Sequence, residues 1–292
     1  MTMKSTEKMT LRRSNQFRME MRRLRRHKPA MVGLGITIII ILVAIFAPLI
    51  APFDYASQNL DHKVMGPSAE HIFGTDHLGR DVFSRVIYGS RIAIMVGLVV
   101  VSIEAGIGIT LGLIAGYFGG RVDAFISGLT DTVWSFPPMV LALGIVAVIG
   151  PGLLNVIIAI ALVSWAPFSR ITRAKVQSVK ETEYVEAGRA IGESDFSLLL
   201  RYILPNIIAS NLVLVTLTMP SALLTSSALS FLGFGAQPPT PDWGAILSEG
   251  REYLRSGPWI STFPGLAILF TVLGFNFLGD GLRDAFDPRL KL

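Results

Sequence analysis

Cysteine is absent from the 292 residues. That removes disulfides, thiolate nucleophiles and thiolate metal sites at once, and leaves the redox compartment open. Charge is scarce as well: Asp, Glu, Lys and Arg make up 16% of the chain, against about 25% in ordinary soluble domains. No G-x-x-x-x-G-K-[ST] occurs, so the chain carries no phosphate-binding loop of its own. The G-x-S-x-G and H-E-x-x-H patterns of two large hydrolase classes are missing too. Apolar residues, by contrast, are plentiful: 51% of the chain is hydrophobic and the mean hydropathy is +0.55. This balance points to an all-α integral membrane protein in a lipid bilayer, and nothing in it calls for a nucleic-acid partner.

Residues 31–50, MVGLGITIIIILVAIFAPLI, carry no charge. Twenty helical residues rise about 30 Å, the thickness of a bilayer core. A basic tail precedes them. A signal peptide is the competing reading, but the run exceeds the usual ~7–15 apolar residues and no small-residue cleavage site follows. Five further apolar runs lie near 92–118, 124–149, 153–169, 206–232 and 259–280. Six transmembrane helices with both termini in the cytoplasm result. Twenty of the 26 Lys and Arg then fall inside and six outside, as the positive-inside rule requires. The expected layout is a basic cytoplasmic tail (1–29), a first span (30–50), an extracytoplasmic segment (51–91), a core (88–280) with a cytoplasmic loop (170–205), and a cytoplasmic C-terminal tail (281–292).

Several residues inside or between spans invite a role. Gly108, Gly112 and Gly116 form two overlapping G-x-x-x-G units, a smooth stripe for packing within the chain or against another subunit. Glu104 and Asp131 are acids within spans. An ionised carboxylate at the bilayer centre costs roughly 2.5–3.5 kcal/mol, so each should face protein or a water-filled path. Glu104 reads as a structural or cavity-facing acid or a proton relay; Asp131 is a candidate for the translocation path. Pro137 and Pro138, in WSFPP, should bend or break the third span, which bilayer-depth backbone tolerates where it lines a cavity or is buried. His71, Asp76 and His77 lie close together in the outer segment. Imidazole and carboxylate suit a transition metal, but the spacing matches no specific metal motif, and a solvated loop is the alternative.

One polar stretch interrupts the apolar pattern: EYVEAGRAIGESDFSLLLRYILP, residues 183–205. Tyr184, Val185, Ala187, Ala190 and Ile191 supply apolar positions for a short helix. Glu181 and Glu183 near its start and Arg189 near its end suit the helix dipole. Gly192 permits a left-handed cap, and Ser194 or Asp195 can cap the next helix. Phe196, Leu199, Leu200 and Ile203 recur at helical spacing, and Pro205 is expected to close that helix. The product is a helical elbow with an exposed apolar face, which marks either an interface or packing against the chain's own spans.

This stretch resembles the cytoplasmic loop signature of ABC-importer permeases, E-A-A-x-x-x-G-x(9)-I-x-L-P. Glu186, Ala187, Gly192, Leu204 and Pro205 match; Gly188 stands where Ala is usual and Tyr202 where Ile is usual. Further stretches resemble the second, C-type permease subunit of the dipeptide/oligopeptide/nickel branch: HIFGTDHLGRDVFSRVIYGSR (71–91), GLIAGYFGGRVDA (112–124), LSFLGFGAQPPTPDWGAIL (229–247) and FPGLAILFTVLGFNFLGDGLRDAFDPRLK (263–291). The resemblance implies a type I importer (MetI-like) fold of five core spans preceded by one, in a bacterial cell membrane. It implies a non-catalytic subunit that pairs with a second permease, two ATPase subunits that bind the ATP and Mg, and an extracytoplasmic substrate-binding protein. The loop around Tyr184, Glu186, Ala187, Gly188, Ala190 and Gly192 would couple to the ATPases. Dipeptides or oligopeptides are the expected cargo; nickel, a metal chelate or glutathione are alternatives within the family. A secondary transporter and a non-transporting scaffold are the rival classes. The first would need more intramembrane acids than Glu104 and Asp131; the second leaves the broken, acid-bearing third span without a purpose.

Overall fold

A computed structural model describes residues 21 and 23–286. Most of the basic N-terminal tail, and Arg289 and Lys291, lie outside the described residues. The chain folds as helices joined by turns and by two longer loops, residues 51–81 and 232–242. The first span is α1 (Lys28–Ile45). His27 caps it, with its Nδ1 accepting the Ala30 N–H at 3.1 Å, and Pro29 sits in the first turn, where a missing N–H is harmless. A loop over residues 51–81 leads to α2 (Val82–Phe118), capped by Asp81, whose Oδ2 accepts the Ser84 N–H at 2.7 Å.

Thirty-seven helical residues rise about 55 Å, so α2 overshoots a ~30 Å bilayer core. Its first turns belong to that loop's packing. Gly119, at φ +65°, then reverses the chain, a conformation that side-chain-bearing residues adopt at a cost. The third span follows as α3 (Gly120–Trp134) and α4 (Pro138–Ile149), set at 86° to each other. Of the two expected outcomes, a bend or a break, the structure shows the break at Pro137 and Pro138; Pro138 does not sit inside a continuous helix. It is the first residue of a new helix, with Pro137 as its cap, because a ring that lacks an N–H fits a helix start better than an interior.

The fourth span is α5 (Leu153–Ser164) and α6 (Ala166–Val179), followed by the short α7 (Glu183–Ala190). The fifth is α8 (Leu204–Phe231). A shorter helix, α9 (Trp243–Gly250), and the last span, α10 (Trp259–Phe286), follow. Among the described residues, five helical stretches are long and apolar enough to cross a membrane, and the α3–α4 pair supplies a sixth if it counts as one broken span. The apolar runs underestimate three of these helices, which continue into charged turns such as Arg170–Lys180. Hydropathy reads the lipid-depth portion, whereas backbone hydrogen bonding carries the helix past it.

Glycines set the packing. A Cβ on Gly108, Gly112 or Gly116 would lie 2.4 Å from Phe168 Cβ, 2.6 Å from the Ser169 carbonyl oxygen, or 2.7 Å from Val176 Cβ. The stripe is therefore the seat of α6 against α2, an internal contact. Gly33 of α1 and Gly274 of α10 pack in the same way, each against the other helix. The main core gathers Val96, Val100, Ile157, Ile160, Phe168 and Leu223 from α2, α5, α6 and α8.

Candidate functional site

At one end of the bundle the polar stretch forms the elbow. Helix α7 runs to Ala190, and Gly192, at φ +85°, turns the chain. Its N–H donates to the Arg189 carbonyl at 3.1 Å. Ser194 caps the next segment, its Oγ accepting the Ser197 N–H at 3.3 Å. Pro205 does not close that segment. Residues 195–231 run on as one helical stretch, with a π-helical turn over Leu198–Ile203. The π turn explains why: the Leu204 N–H pairs with the Leu199 carbonyl, one residue beyond α-helical register, and the local widening accommodates a proline ring that would otherwise crowd the preceding turn.

The elbow has two faces. Val185 and Gly188 are buried; Val185 packs with Val176, Leu198, Ile203 and Ile207, while Leu204 is half-buried beside them. Gly188 occupies the family's usual Ala position, and a Cβ there would come within 2.9 Å of Leu198 Cδ2. The other face is open. Tyr184, Glu186, Ala187, Ala190 and Pro205 are exposed, as are Ile191 at 76% and Phe196 at 72%. Such exposure of large apolar side chains on a charged, turn-rich segment is the mark of a contact surface. The elbow is anchored from behind, where Tyr117 Oη at the end of α2 donates to Asp195 Oδ1 at 2.5 Å.

The break in the third span makes a second feature. Trp134, Phe136, Pro137, Pro138 and Met139 are all exposed. Asp131 lies at the same surface, paired with Arg170 of α6 at 2.5 Å. The Arg170 guanidinium also covers the Trp134 ring, with Cζ 4.0 Å from its centroid. Arg173, one turn on, grips Asp123 through Nε and Nη2. Glu104 is separate: it is 2% exposed, accepts a hydrogen bond from Ser164, and lines a cavity beside Trp134 and Pro138.

The opposite end is a small platform held by charge. Asp76 Oδ2 lies 2.6 Å from both Arg80 Nε and Arg85 Nη1. Glu249 Oε2 of α9 lies 2.7 Å from Arg80 Nη2 and from Arg85 Nη1. Arg80 and Arg85 are 2% and 1% exposed. Burial pushes the Asp76 carboxyl up, but Arg85, Arg80 and two backbone N–H donors outweigh it and hold it below the ordinary carboxylate value. The solvated-loop reading fails at His71 and Asp76, while of the metal reading the structure keeps Asp76 and His77, which with Glu249 bring one possible ligand atom each within 4.8 Å of one another. Asp76 and His71 are buried rather than solvated, His71 Nδ1 is paired with Asp81 at 2.9 Å, and two guanidiniums beside Asp76 and Glu249 oppose a bound cation. The network escaped the sequence reading: Asp76 and Arg80 stand in a turn rather than a helix, where a spacing of four carries no pairing signal. Trp243 Nε1 donates to the Val86 carbonyl at 2.8 Å and Trp259 Nε1 to the Thr75 carbonyl at 3.0 Å, tying α9 to α2 and α10 to the loop. Asp242 caps α9 by accepting the Gly244 N–H at 2.8 Å; burial pushes its carboxyl up.

Comparison with known proteins gives consistent results. Residues 108–292 match the family described as binding-protein-dependent transport system inner membrane component. Residues 15–67 match the N-terminal transmembrane domain of oligopeptide transport permease C. The chain is 46% identical over 275 residues to the dipeptide transport system permease protein DppC of Alkalihalophilus pseudofirmus, covering 94% of this chain and 90% of that one. It is also 46% identical to the glutathione transport system permease protein GsiD of Escherichia coli O6:K15:H31, covering 92% and 89%. Among solved structures, the inward-facing MetNI methionine ABC transporter aligns with a TM-score of 0.54 at 19% identity, covering 70% of this chain and 98% of that one; this likeness concerns the fold.

Proposed function

The chain belongs to the family of binding-protein-dependent transport system inner membrane components, and from that premise we propose that it is one of two permease chains of an ATP-driven importer of short peptides. The observation that carries the reading is the exposed apolar face of the elbow, Tyr184, Ala187, Ala190, Ile191 and Phe196, on a chain with no phosphate-binding loop. Hydrolysis is left to separate ATPase subunits, which bind ATP and Mg, and the elbow is their docking surface. In this reading the elbow and both termini face the cytoplasm, and the charged platform faces the substrate-binding protein on the outside.

The mechanism is a two-state equilibrium biased from both ends. ATP draws the ATPase pair together. Helix α7 moves with it, and because Val185 and Gly188 are packed into the ends of α6 and α8, the motion reaches the spans as a rigid-body shift. The surface around Asp131, Trp134, Pro137 and Pro138 lines the path, completed by a second, homologous permease chain. Dipeptides fit the DppC likeness; glutathione, itself a small peptide, is the second reading, favoured by the equal identity to GsiD.

A pull-down tests the assignment. The tagged chain is extracted gently from native membranes, with and without Glu186→Lys, and co-purifying chains are identified by mass spectrometry. Recovery of a second permease and ATPases, with the ATPases lost in the variant, is expected. Recovery of the chain alone would overturn the reading.

A further inference from the structure

Glu104 stands apart from the machinery above. It lies mid-way along α2, is 2% exposed, and takes part in none of the ion pairs among the described residues. Its hydrogen-bond partner is the Ser164 hydroxyl. It faces a cavity of about 150 Å³ that is otherwise lined by hydroxyl and apolar side chains, with Trp134, Ser164, Thr218, Ser221 and Thr225 among them. Trp134 and Ser221 are exposed, so the cavity meets the surface beside the break between α3 and α4.

Three features of this cavity fit one kind of ligand. A carboxylate held in a span without a counter-ion is costly, and a cation in the cavity would remove that cost. Thr218 donates its hydroxyl hydrogen to the backbone carbonyls of Leu214 and Val215, which leaves its oxygen as an acceptor toward the cavity. At about 150 Å³ the cavity has room for a charged head with a few waters. A proton relay fits less well, because Glu104 is the sole ionisable residue among those lining the cavity and a relay needs a next station.

We propose that Glu104 and the hydroxyls around it form a subsite for a primary ammonium group, the amino terminus of a peptide in transit. The ammonium places one of its three donors on the carboxylate and others on threonine and serine oxygens. This rests on the peptide-importer reading.

Carbodiimide labelling tests it. The complete complex, purified in detergent without its binding protein so that access does not depend on delivery, is treated with a hydrophobic carbodiimide. Modification of Glu104 is followed by peptide mass spectrometry. Dialanine is expected to slow labelling of Glu104 by about tenfold at a saturating concentration, while N-acetyl-dialanine, which lacks the ammonium, leaves the rate unchanged. Equal rates with both probes, or no labelling of Glu104 at all, overturns the subsite. Glu104→Asp should retain both labelling and protection, which checks that the charge and not the packing is read. ATP-driven uptake of dialanine by the wild-type complex in proteoliposomes, with the substrate-binding protein added back, is measured alongside: uptake without protection refutes the subsite alone, whereas absence of uptake refutes the importer reading.

Discussion

Arg170 joins two features that are 36 residues away or more in the chain: its Nη2 lies 2.5 Å from Asp131 Oδ1, and its guanidinium carbon sits 4.0 Å from the centre of the Trp134 ring. The side chains of Arg170 and Asp131 are 48% and 65% exposed. Exposed ion pairs contribute about 0–1 kcal/mol, so the pair does little for the fold. Asp131→Asn should leave the thermal midpoint of the purified chain in detergent within about 2–4 °C of wild type. If Asp131 lines the transport path, the same change lowers peptide uptake several-fold with the complex still assembled. Unchanged uptake removes Asp131 from the path.

The elbow gives the converse test. Ile191 and Phe196 are 76% and 72% exposed, and neither contributes to the buried cluster around Val185. Replacing both by serine should change stability by no more than about 0.5 kcal/mol each. Apolar anchors of an interface commonly cost about 2 kcal/mol or more when truncated, some thirtyfold in affinity. A titration of the purified ATPase subunits against the double variant should show that loss. Wild-type affinity would assign the apolar face to something other than the ATPases.

The stripe on α2 predicts a folding defect. At Gly112 a Cβ would meet the Ser169 carbonyl oxygen at 2.6 Å and Thr172 Cβ at 2.7 Å, neither of which can swing away as a flexible side-chain end could. Gly112→Leu forces α6 off α2. Overpacking of this kind costs about 1–3 kcal/mol or more, read as a lowered melting temperature in detergent and reduced membrane accumulation. Gly106 faces open space, and Gly106→Leu is the control that should be tolerated.

Long-range apolar pattern and local turn chemistry made the spans, the α7 turn and the glycine stripe legible before any coordinates. Each depends on residues close in sequence: a run without charge, a glycine followed by a capping serine, glycines four apart. What was not legible depended on partners far apart. Composition names Tyr184, Val185 and Ile191 alike as apolar positions, but Val185 alone of the three points inward, because α6 and α8 converge there. Pro205 looked like a helix end because a proline blocks α-register, and nothing in the residues announced that a π turn would absorb it. Arg85 and Glu249, 164 positions apart, carried no mutual signal, since each on its own reads as a solvated outer charge.

That last pair supports a prediction about acid. Asp76 is fully buried, and its carboxyl is held below the ordinary value because Arg85 and Arg80 outweigh desolvation. A carboxyl lowered on folding adds stability that is complete above its unfolded value, about 3.9, and is lost as pH falls through the lower folded value. The stability difference between wild type and Asp76→Asn should therefore stay constant from pH 7 to about pH 5 and shrink only below the ordinary carboxylate range. Arg85→Met removes one partner from a buried network and leaves Glu249 and Asp76 undercompensated, at a cost of about 3–5 kcal/mol. Melting curves of the purified chain in detergent across this pH range measure both effects. A wild-type advantage that already fades between pH 7 and pH 5 would mean that Asp76 titrates higher than the geometry of the two arginines requires, and that burial rather than pairing governs the platform.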